Sequence, residues 1–228
     1  MGNYNALNFV LPNVDWLKYS EEFISSFDLL PNFFATQINP YDDLIIFFDG
    51  LKRLNQLLLG LCKDFWLYSL MDYLKIVSVK KEAGSAGMPH KVNPIHFEGA
   101  EGGLEQANSL LEFFSRKLSY SRLQRDFSDS TVRRNFVLAF SYSLLSYQSL
   151  VIGFERITVN KKQIYFDLEQ HPEVFSEGLK TLMILQGEKN AWEKVQAMVQ
   201  DNKLNRSLKD YQGLAEKLTD LILKETQK

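Results

Sequence analysis

The sequence has few of the residues that cross-link or break a chain. Its single cysteine, Cys62, excludes an internal disulfide and indicates a reducing compartment, so we expect a cytoplasmic protein. Its three histidines and one cysteine show no recognised metal-ligand spacing, so we expect no metal site and no cofactor. The six prolines and twelve glycines cluster at a few breaks, of which the longest covers residues 84–94.

The sequence also lacks an excess of charge of either sign. Its 26 basic and 28 acidic residues give a formal net charge of −2. This balance argues against a general binder of nucleic acids or membrane surfaces, so any anion-binding site must be local. The first residues, MGNYNALNF, have neither the basic region nor the apolar run of a signal peptide, and we expect no targeting signal.

Apolar residues recur at steps of three and four along most of the chain. The clearest series runs from Leu44 to Tyr68 and predicts a helix over residues 41–74 that is apolar on nearly every face. The same spacing predicts further helices over residues 94–118, 130–157, 161–169, 172–186, 191–199 and 208–225. It predicts no strand. The sequence therefore predicts an all-α fold.

The length of the first predicted helix indicates the architecture. It would extend roughly 50 Å, whereas a compact chain of this size has a radius of gyration of about 17 Å. We therefore expect an elongated helical bundle over residues 1–157, followed by a small C-terminal helical domain over residues 158–228. The additional apolar faces predict burial against other subunits, and thus an oligomer.

The third predicted helix has an alternative interpretation. Residues 135–153 carry no charge, which meets the length criterion for a transmembrane span. Serine, asparagine and glutamine side chains are scattered through this segment and dilute its hydropathy. We therefore favour a helix at the centre of a multi-helix core and expect no membrane partner.

The break between the first two long helices reads GSAGMPHKVNP, residues 84–94. Small residues let backbone N–H groups approach an anion, Lys91 adds a positive charge, and Pro94 can begin the next helix. Ser85 is a candidate nucleophile or base. A flexible connector with ordinary polar residues would have the same composition, so the residues alone leave both interpretations open.

This stretch, together with Glu98, resembles the signature GSSxMPxKxNxxxxE of the fumarase/aspartase superfamily and departs from it at Ala86. Within that superfamily, MPHKVNP is similar to the bacterial adenylosuccinate lyase family. Three further stretches resemble blocks of the same family: GNYNA at residues 2–6, TQINPYD at 36–42 and QRDFSDSTVRRN at 124–135. The resemblance implies that residues 1–157 are part of the superfamily's central helical bundle.

The resemblance also implies a reaction, the β-elimination of adenylosuccinate to AMP and fumarate. It further implies the corresponding step on the succinylated carboxamide ribotide of purine biosynthesis. It places the general base at Ser85 and the stabilisation of the dianionic intermediate at Lys91. Met88 and Asn93 would line the succinyl pocket, and Gln37 would hold the succinyl end of the substrate.

The same resemblance implies that the nucleotide part of the substrate is bound by Arg125, Ser130 and Arg134. A helix N-terminus near Ser130 would favour phosphate, and an arginine one turn later could bind it bidentately. Without the resemblance, a solvated helix start with surface ion pairs explains these charges better. Glu98 matches a family residue that orients a catalytic histidine; alternatively, it offsets the dipole at the start of its helix.

The three histidines have separate interpretations. His90 resembles a family residue that shapes the site, and His96 is expected to be exposed in the first turn of its helix. His171 precedes a proline at a helix boundary and is expected to act as a cap. None of them matches the family's proton-donating histidine, which belongs to an upstream segment.

The family site is assembled from three segments of different subunits in a tetramer, and only the last of these segments matches here. We therefore expect the chain to be a C-terminal portion that is weak or inactive alone. It would form homo-oligomers or bind an N-terminal-half partner. The alternative is a non-catalytic helical remnant, or an oligomerisation module that keeps the bundle.

Overall fold

The computed structural model describes residues 2–77, 93–200 and 213–226, and the chain divides into two compact units, Met1–Val159 and Asn160–Lys228. The described helices of the first unit are α1 (Asn5–Val10), α2 (Trp16–Ser25), α3 (Asp42–Leu70), α4 (Ile95–Leu118), α5 (Ser128–Arg133) and α6 (Phe136–Glu155). Its described strands form one antiparallel pair, β1 (Leu74–Ile76) and β2 (Ile157–Val159).

Helices α3, α4 and α6 form the bundle, with α4 packed against both of the others. The core lies in two apolar clusters. The first consists of Phe48, Leu111, Phe114, Leu118, Val132 and Ala139. The second consists of Leu59, Cys62, Phe97, Ala100, Leu104 and Leu150. Burial raises the pKa of the Cys62 thiol to about 11. The predicted all-α helical bundle is confirmed.

A polar contact lies in the bundle interior between α3 and α6. The buried Asn55 side chain donates to Ser143 Oγ at 3.0 Å and accepts a hydrogen bond from the Tyr147 hydroxyl. Burial raises the pKa of Tyr147. Because buried polar groups need partners, any sliding of α3 along α6 that separated Asn55 from Ser143 would be penalised.

Helices α4 and α6 approach each other closely, because small residues lie where they meet. A Cβ atom on Gly103 would lie inside van der Waals contact of Ser146 Oγ and 3.5 Å from the Tyr142 carbonyl oxygen. A Cβ atom on Gly153 would lie 3.0 Å from Phe97 Cζ. The absence of side chains at these two glycines therefore sets the distance between the helices.

The helix predicted over residues 130–157 is two helices in the structure, separated by Arg134 and Asn135. The Asn135 side-chain Nδ2 donates to the Thr131 carbonyl oxygen at 3.2 Å. Asparagine side chains that bond to the nearby backbone compete with helix continuation. The single-helix prediction is therefore wrong at this turn.

The prediction that the chain has no strand is wrong for two short segments. Asp72 adopts a left-handed backbone conformation with φ of 57°, and α3 ends at Leu70 instead of residue 74. The chain then turns so that Leu74 lies opposite Val159. Strands of three residues are too short to show an alternating pattern. The spacing likewise did not predict α1 or α2.

The second unit is a small helical assembly. Its described helices are α7 (Lys161–Gln170), α8 (Ser176–Leu185), α9 (Ala191–Gln200) and α10 (Ala215–Thr226). A 3-10 turn, Pro172–Phe175, precedes α8, and Phe175, Leu179 and Val195 form a small core. The predicted helices in this part of the chain correspond to these elements, except that residues 208–212 of the last one lie outside the described residues.

Within the described residues, one segment passes a membrane-span test based on length and composition alone. It is Ser128–Glu155, with a mean hydropathy of 1.4 in its most apolar window. A core helix of a soluble protein passes the same test. In the bundle, α6 buries Ala139, Ser143, Ser146 and Leu150, while much of its opposite face is apolar and exposed.

Candidate active site

Three of the predicted site residues, Ser85, Met88 and Lys91, lie outside the described residues, as does His90. The described ones are Gln37, Asn93, Glu98, Arg125, Ser130 and Arg134. All of these belong to the first unit. They fall on three segments: the loop before α3, the start of α4, and the chain around α5.

Gln37 is exposed in the loop that joins α2 to α3. Within this loop, Asn32 Nδ2 donates to Asn39 Oδ1 at 2.9 Å. The adjacent Thr36 hydroxyl donates to the Gln124 carbonyl oxygen at 2.8 Å, across 88 positions of sequence. The fold therefore brings together two of the motif segments, TQINPYD and QRDFSDSTVRRN.

A second hydrogen bond joins the same two segments. The Tyr41 hydroxyl donates to Asp129 Oδ2 at 2.5 Å, and Asp129 is only 7% exposed. Burial raises the pKa of Tyr41, the bond to Asp129 raises it further, and the nearby Arg133 guanidinium opposes the rise. Neither Tyr41 nor Asp129 is among the predicted site residues. The sequence could have indicated both residues, because they lie inside motif segments that resemble the family.

Asp126 organises the start of α5. Its carboxylate accepts hydrogen bonds from the Ser128 hydroxyl and from the Ser128 backbone N–H, the latter at 2.9 Å. It also accepts the Arg122 backbone N–H at 3.2 Å. These bonds, the one from the Ser128 hydroxyl above all, hold the pKa of Asp126 well below its ordinary value. Asp126 therefore binds backbone N–H groups at the start of α5 and is not merely one half of a surface ion pair.

The lowered pKa of Asp126 predicts a dependence of stability on pH. Its stabilising contribution is present above the ordinary aspartate pKa of about 4 and is lost as the pH falls below that value. Replacing Asp126→Asn should lower the urea midpoint at neutral pH. The difference from wild type should shrink as the pH falls from about 4 towards 3, because the Asp126 carboxylate binds a proton there in the unfolded chain but stays ionised in the folded one.

Urea unfolding at several pH values measures this difference. Glu112→Gln, at an exposed position of α4, serves as the control. The control should follow the wild-type profile more closely than Asp126→Asn does. A difference between Asp126→Asn and wild type that stays constant from neutral to acidic pH would contradict the prediction.

The residues predicted to bind the nucleotide are close in sequence but differ in environment. Arg125 is half-buried, with its guanidinium carbon 4.9 Å from the centre of the Phe127 ring. Ser130 is the third residue of α5, and its backbone N–H donates to Asp129 Oδ1 at 2.7 Å. A helix N-terminus does lie near Ser130, as expected, but the Ser130 N–H itself is already engaged by Asp129. Arg134 is exposed directly after α5.

The start of α4 carries Asn93 and Glu98. Asn93 is half-buried, and its carbonyl oxygen accepts the Ile95 backbone N–H at 2.9 Å. Glu98 lies exposed in the first turn, where its Oε1 accepts the indole N–H of Trp66 at 3.1 Å. Trp66 comes from α3, so the bundle itself fixes one oxygen of this carboxylate.

The prediction that His96 is exposed is wrong. His96 is half-buried, and its Nε2 lies 2.8 Å from Arg156 Nη1. Its carbonyl oxygen accepts a hydrogen bond from the Ser149 hydroxyl at 2.9 Å. These contacts attach the start of α4 to the end of α6, and they were not visible in the sequence because the residues are more than fifty positions apart.

A cavity of about 220 Å³ lies between the loop before α3 and the chain around α5. Its polar lining includes Thr36, Tyr41, Asp42, Lys117, Ser119, Ser121, Asp126, Ser128 and Asp129. Because three aspartates and one lysine line it, the cavity favours neutral hydrogen-bonding groups over a phosphate. Among the residues that the structure describes, no group of three histidine, cysteine or acidic side chains is placed to hold a metal ion.

Two family models match the chain in succession. The lyase family matches residues 3–108, and the adenylosuccinate lyase C-terminal family matches residues 121–227. The first match covers the loop of Gln37 and the start of α4, and the second covers the segment around α5. The two matched regions therefore contain all of the predicted site residues.

Curated relatives are adenylosuccinate lyases of several organisms. The protein of Legionella pneumophila (strain Corby) is 41% identical over 205 residues, which are 90% of this chain and 45% of the relative. That of Escherichia coli (strain K12) is 36% identical over 228 residues, or 100% of this chain and 49% of the relative. That of Dictyostelium discoideum is 43% identical over 190 residues, which are 82% of this chain and 40% of the relative.

The chain spans about half the length of the curated relatives it matches. Within that length, the helical bundle, the motif segments and the two family matches agree with one another. The chain belongs to the adenylosuccinate lyase family, as a part of the family's full length.

Proposed function

We propose that this chain takes part in the β-elimination of adenylosuccinate to AMP and fumarate, and in the same step on the succinylated carboxamide ribotide of purine biosynthesis. The names of its relatives support the first reaction. The observation that carries the proposal is the pairing of two motif segments. Thr36 and Tyr41 hold the loop of Gln37 against the segment that contains Arg125 and Ser130.

The reaction needs a base, a cation for the developing dianion and a proton donor for the leaving nitrogen. We propose Ser85 as the base, with its alkoxide held by loop N–H groups and by Lys91. Lys91 also stabilises the dianion. Met88 and Asn93 line the succinyl pocket, and Gln37 holds the succinyl end of the substrate.

Two further parts of the site complete the proposal. Arg125, Ser130 and Arg134 bind the nucleotide, with Ser130 acting through its hydroxyl because its N–H is already engaged. Glu98 orients a histidine that carries the proton. Since Trp66 occupies only Oε1 of this carboxylate, the other oxygen can accept a second donor.

We propose that the chain is an oligomer in the cytoplasm, either a homotetramer as in the family or a complex with an N-terminal-half partner. The outward faces of α3 and α6 support association. They expose apolar side chains that include Ile46, Leu57, Leu144, Leu145 and Val151. Exposed apolar side chains in this number indicate an interaction site. A cytoplasmic location agrees with the single, buried cysteine.

Association predicts a particle mass that is a multiple of the 26.4 kDa chain mass. Replacing Leu145→Glu, at a position 62% exposed on α6, should lower this mass because a charge would have to be buried in the contact. Leu185→Glu, at a position 80% exposed in the second unit, should leave it unchanged. Light scattering after size exclusion makes the measurement. A wild-type monomer at micromolar concentration would rule out the homo-oligomer.

Fumarate release from adenylosuccinate tests the proposed reaction. We expect little or no release by the 228-residue chain alone, because a missing general acid lowers the rate by about 10²–10⁴-fold. Addition of the N-terminal part of the Escherichia coli relative should restore release. In that mixture, Ser85→Ala should lower the rate by at least about 10²-fold, because it removes the proposed base.

The outcomes separate the alternatives. Release by the chain alone that is lost in Ser85→Ala would support the reaction and overturn the expectation of weak activity alone. Release that is insensitive to Ser85→Ala would overturn the assignment of the base. A mixture in which the two parts associate without releasing fumarate would favour the non-catalytic module.

A further inference from the structure

Two hydrogen bonds join the loop before α3 to the segment around α5. Thr36 donates to the Gln124 carbonyl oxygen at 2.8 Å, and Tyr41 donates to Asp129 at 2.5 Å. Thr36 immediately precedes Gln37, which is proposed for the succinyl end. Gln124 immediately precedes Arg125 and Asp129 immediately precedes Ser130, two of the residues proposed for the nucleotide end.

The bond between Tyr41 and Asp129 is the stronger of the two. Asp129 is 7% exposed, and a hydrogen bond to a buried carboxylate is more stabilising than one between neutral groups. The other carboxylate oxygen accepts the Ser130 backbone N–H at 2.7 Å, so one side chain fixes Tyr41 and Ser130 together. Tyr41 also immediately precedes the first residue of α3, so the loop is anchored at the start of a long helix.

We infer that Tyr41 and Asp129 are positioning residues that, with the bond between Thr36 and Gln124, fix the separation of the succinyl-binding and nucleotide-binding groups. The inference rests on the proposed function for the identity of the ligand. A ligand that spans both segments binds more tightly when this separation is fixed, because it need not order the two segments when it binds. The affinity of a ligand that touches only the nucleotide segment depends much less on this separation.

Replacing Tyr41→Phe removes the hydroxyl and keeps the ring. In the 228-residue chain, amide hydrogen exchange should become about tenfold faster in both segments, residues 32–41 and 120–130, because a bond of this strength is lost. Thr36→Val should act in the same direction by less. Tyr165→Phe, at an exposed position of α7, is the control and should change neither segment.

Equilibrium dialysis with two probes then distinguishes positioning from a purely structural effect. Tyr41→Phe should weaken adenylosuccinate binding about tenfold and AMP binding less than about twofold, since only the former spans both segments. Equal losses for both probes, or wild-type exchange rates in either segment, would overturn the inference. Failure of the wild-type chain to bind either probe, even after addition of the N-terminal part of the Escherichia coli relative, would instead count against the proposed function. The exchange result would still decide whether the two segments are held together.

Discussion

Replacing Phe114→Ala should lower the free energy of unfolding by about 3–5 kcal/mol, the cost of deleting a fully buried aromatic side chain. Phe114 is completely buried on α4, between two other phenylalanines. Its ring centre lies 5.7 Å from that of Phe48 on α3 and 4.9 Å from that of Phe136 on α6. The substitution therefore opens a cavity where all three bundle helices meet.

The adjacent residue gives a matched control. Phe113 is 38% exposed, and its ring lies under the Arg116 guanidinium at 5.8 Å. Phe113→Ala should cost less than about 1.5 kcal/mol, because much of its surface is already in contact with water. Urea unfolding followed by circular dichroism measures both effects at equal protein concentration.

A conservative variant keeps the first measurement interpretable if Phe114→Ala does not fold. A loss of 3–5 kcal/mol is a large share of the roughly 5–15 kcal/mol that stabilises a typical domain. Phe114→Leu keeps most of the volume. Its urea midpoint should lie below that of wild type and close to that of Phe113→Ala. Equal losses for Phe113→Ala and Phe114→Ala would show that the bundle does not pack as described.

The sequence predicted those parts of the fold that depend on neighbours in the chain. Apolar residues at steps of three and four predicted α3 and α4 almost to their ends, because these helices bury one face along their whole length. The break after Arg133 was missed, since Asn135 stops the helix through a bond of its own side chain and is a tolerated residue elsewhere in helices.

The same distinction applies to the candidate site. The motif segments were visible as residue patterns, and the resemblance placed Gln37, Arg125 and Ser130 within them. The contacts that join the segments were not visible. Tyr41 meets Asp129 across 88 positions of sequence, and such a pairing depends on how α3 and α4 pack. His96 was misjudged for the same reason, because Arg156 reaches it from beyond α6.

The second large effect concerns the contact between α4 and α6. Replacing Gly103→Ala should lower stability by about 1–2 kcal/mol, because the added methyl group overpacks the interface by more than the helix gains from losing a glycine. Gly102→Ala, one position earlier on the same helix, should raise stability by up to about 1 kcal/mol. A Cβ atom at Gly102 has no heavy atom within 4 Å, whereas one at Gly103 meets Ser146 Oγ.

The comparison removes helix propensity from the measurement, since both glycines lie in the interior of α4 and both change to the same residue. What remains is the steric effect of the α6 contact, which we expect to separate the two variants by about 2 kcal/mol. Variants of equal stability would mean that α4 and α6 lie farther apart than in this structure, or that α6 yields at no cost.

A double-mutant cycle assigns the clash to one atom. Ser146→Ala removes the oxygen that the new methyl group meets, and the Ser146 Cβ atom would then lie 3.7 Å from the added Cβ atom, an ordinary contact distance. Gly103→Ala should therefore cost less in the Ser146→Ala background than in wild type, with a coupling of about 1 kcal/mol in favour of the pair. If the cost is the same in both backgrounds, the resistance comes from the backbone of α6 at Tyr142, and the distance between the helices is set by main-chain contact instead of by the serine side chain.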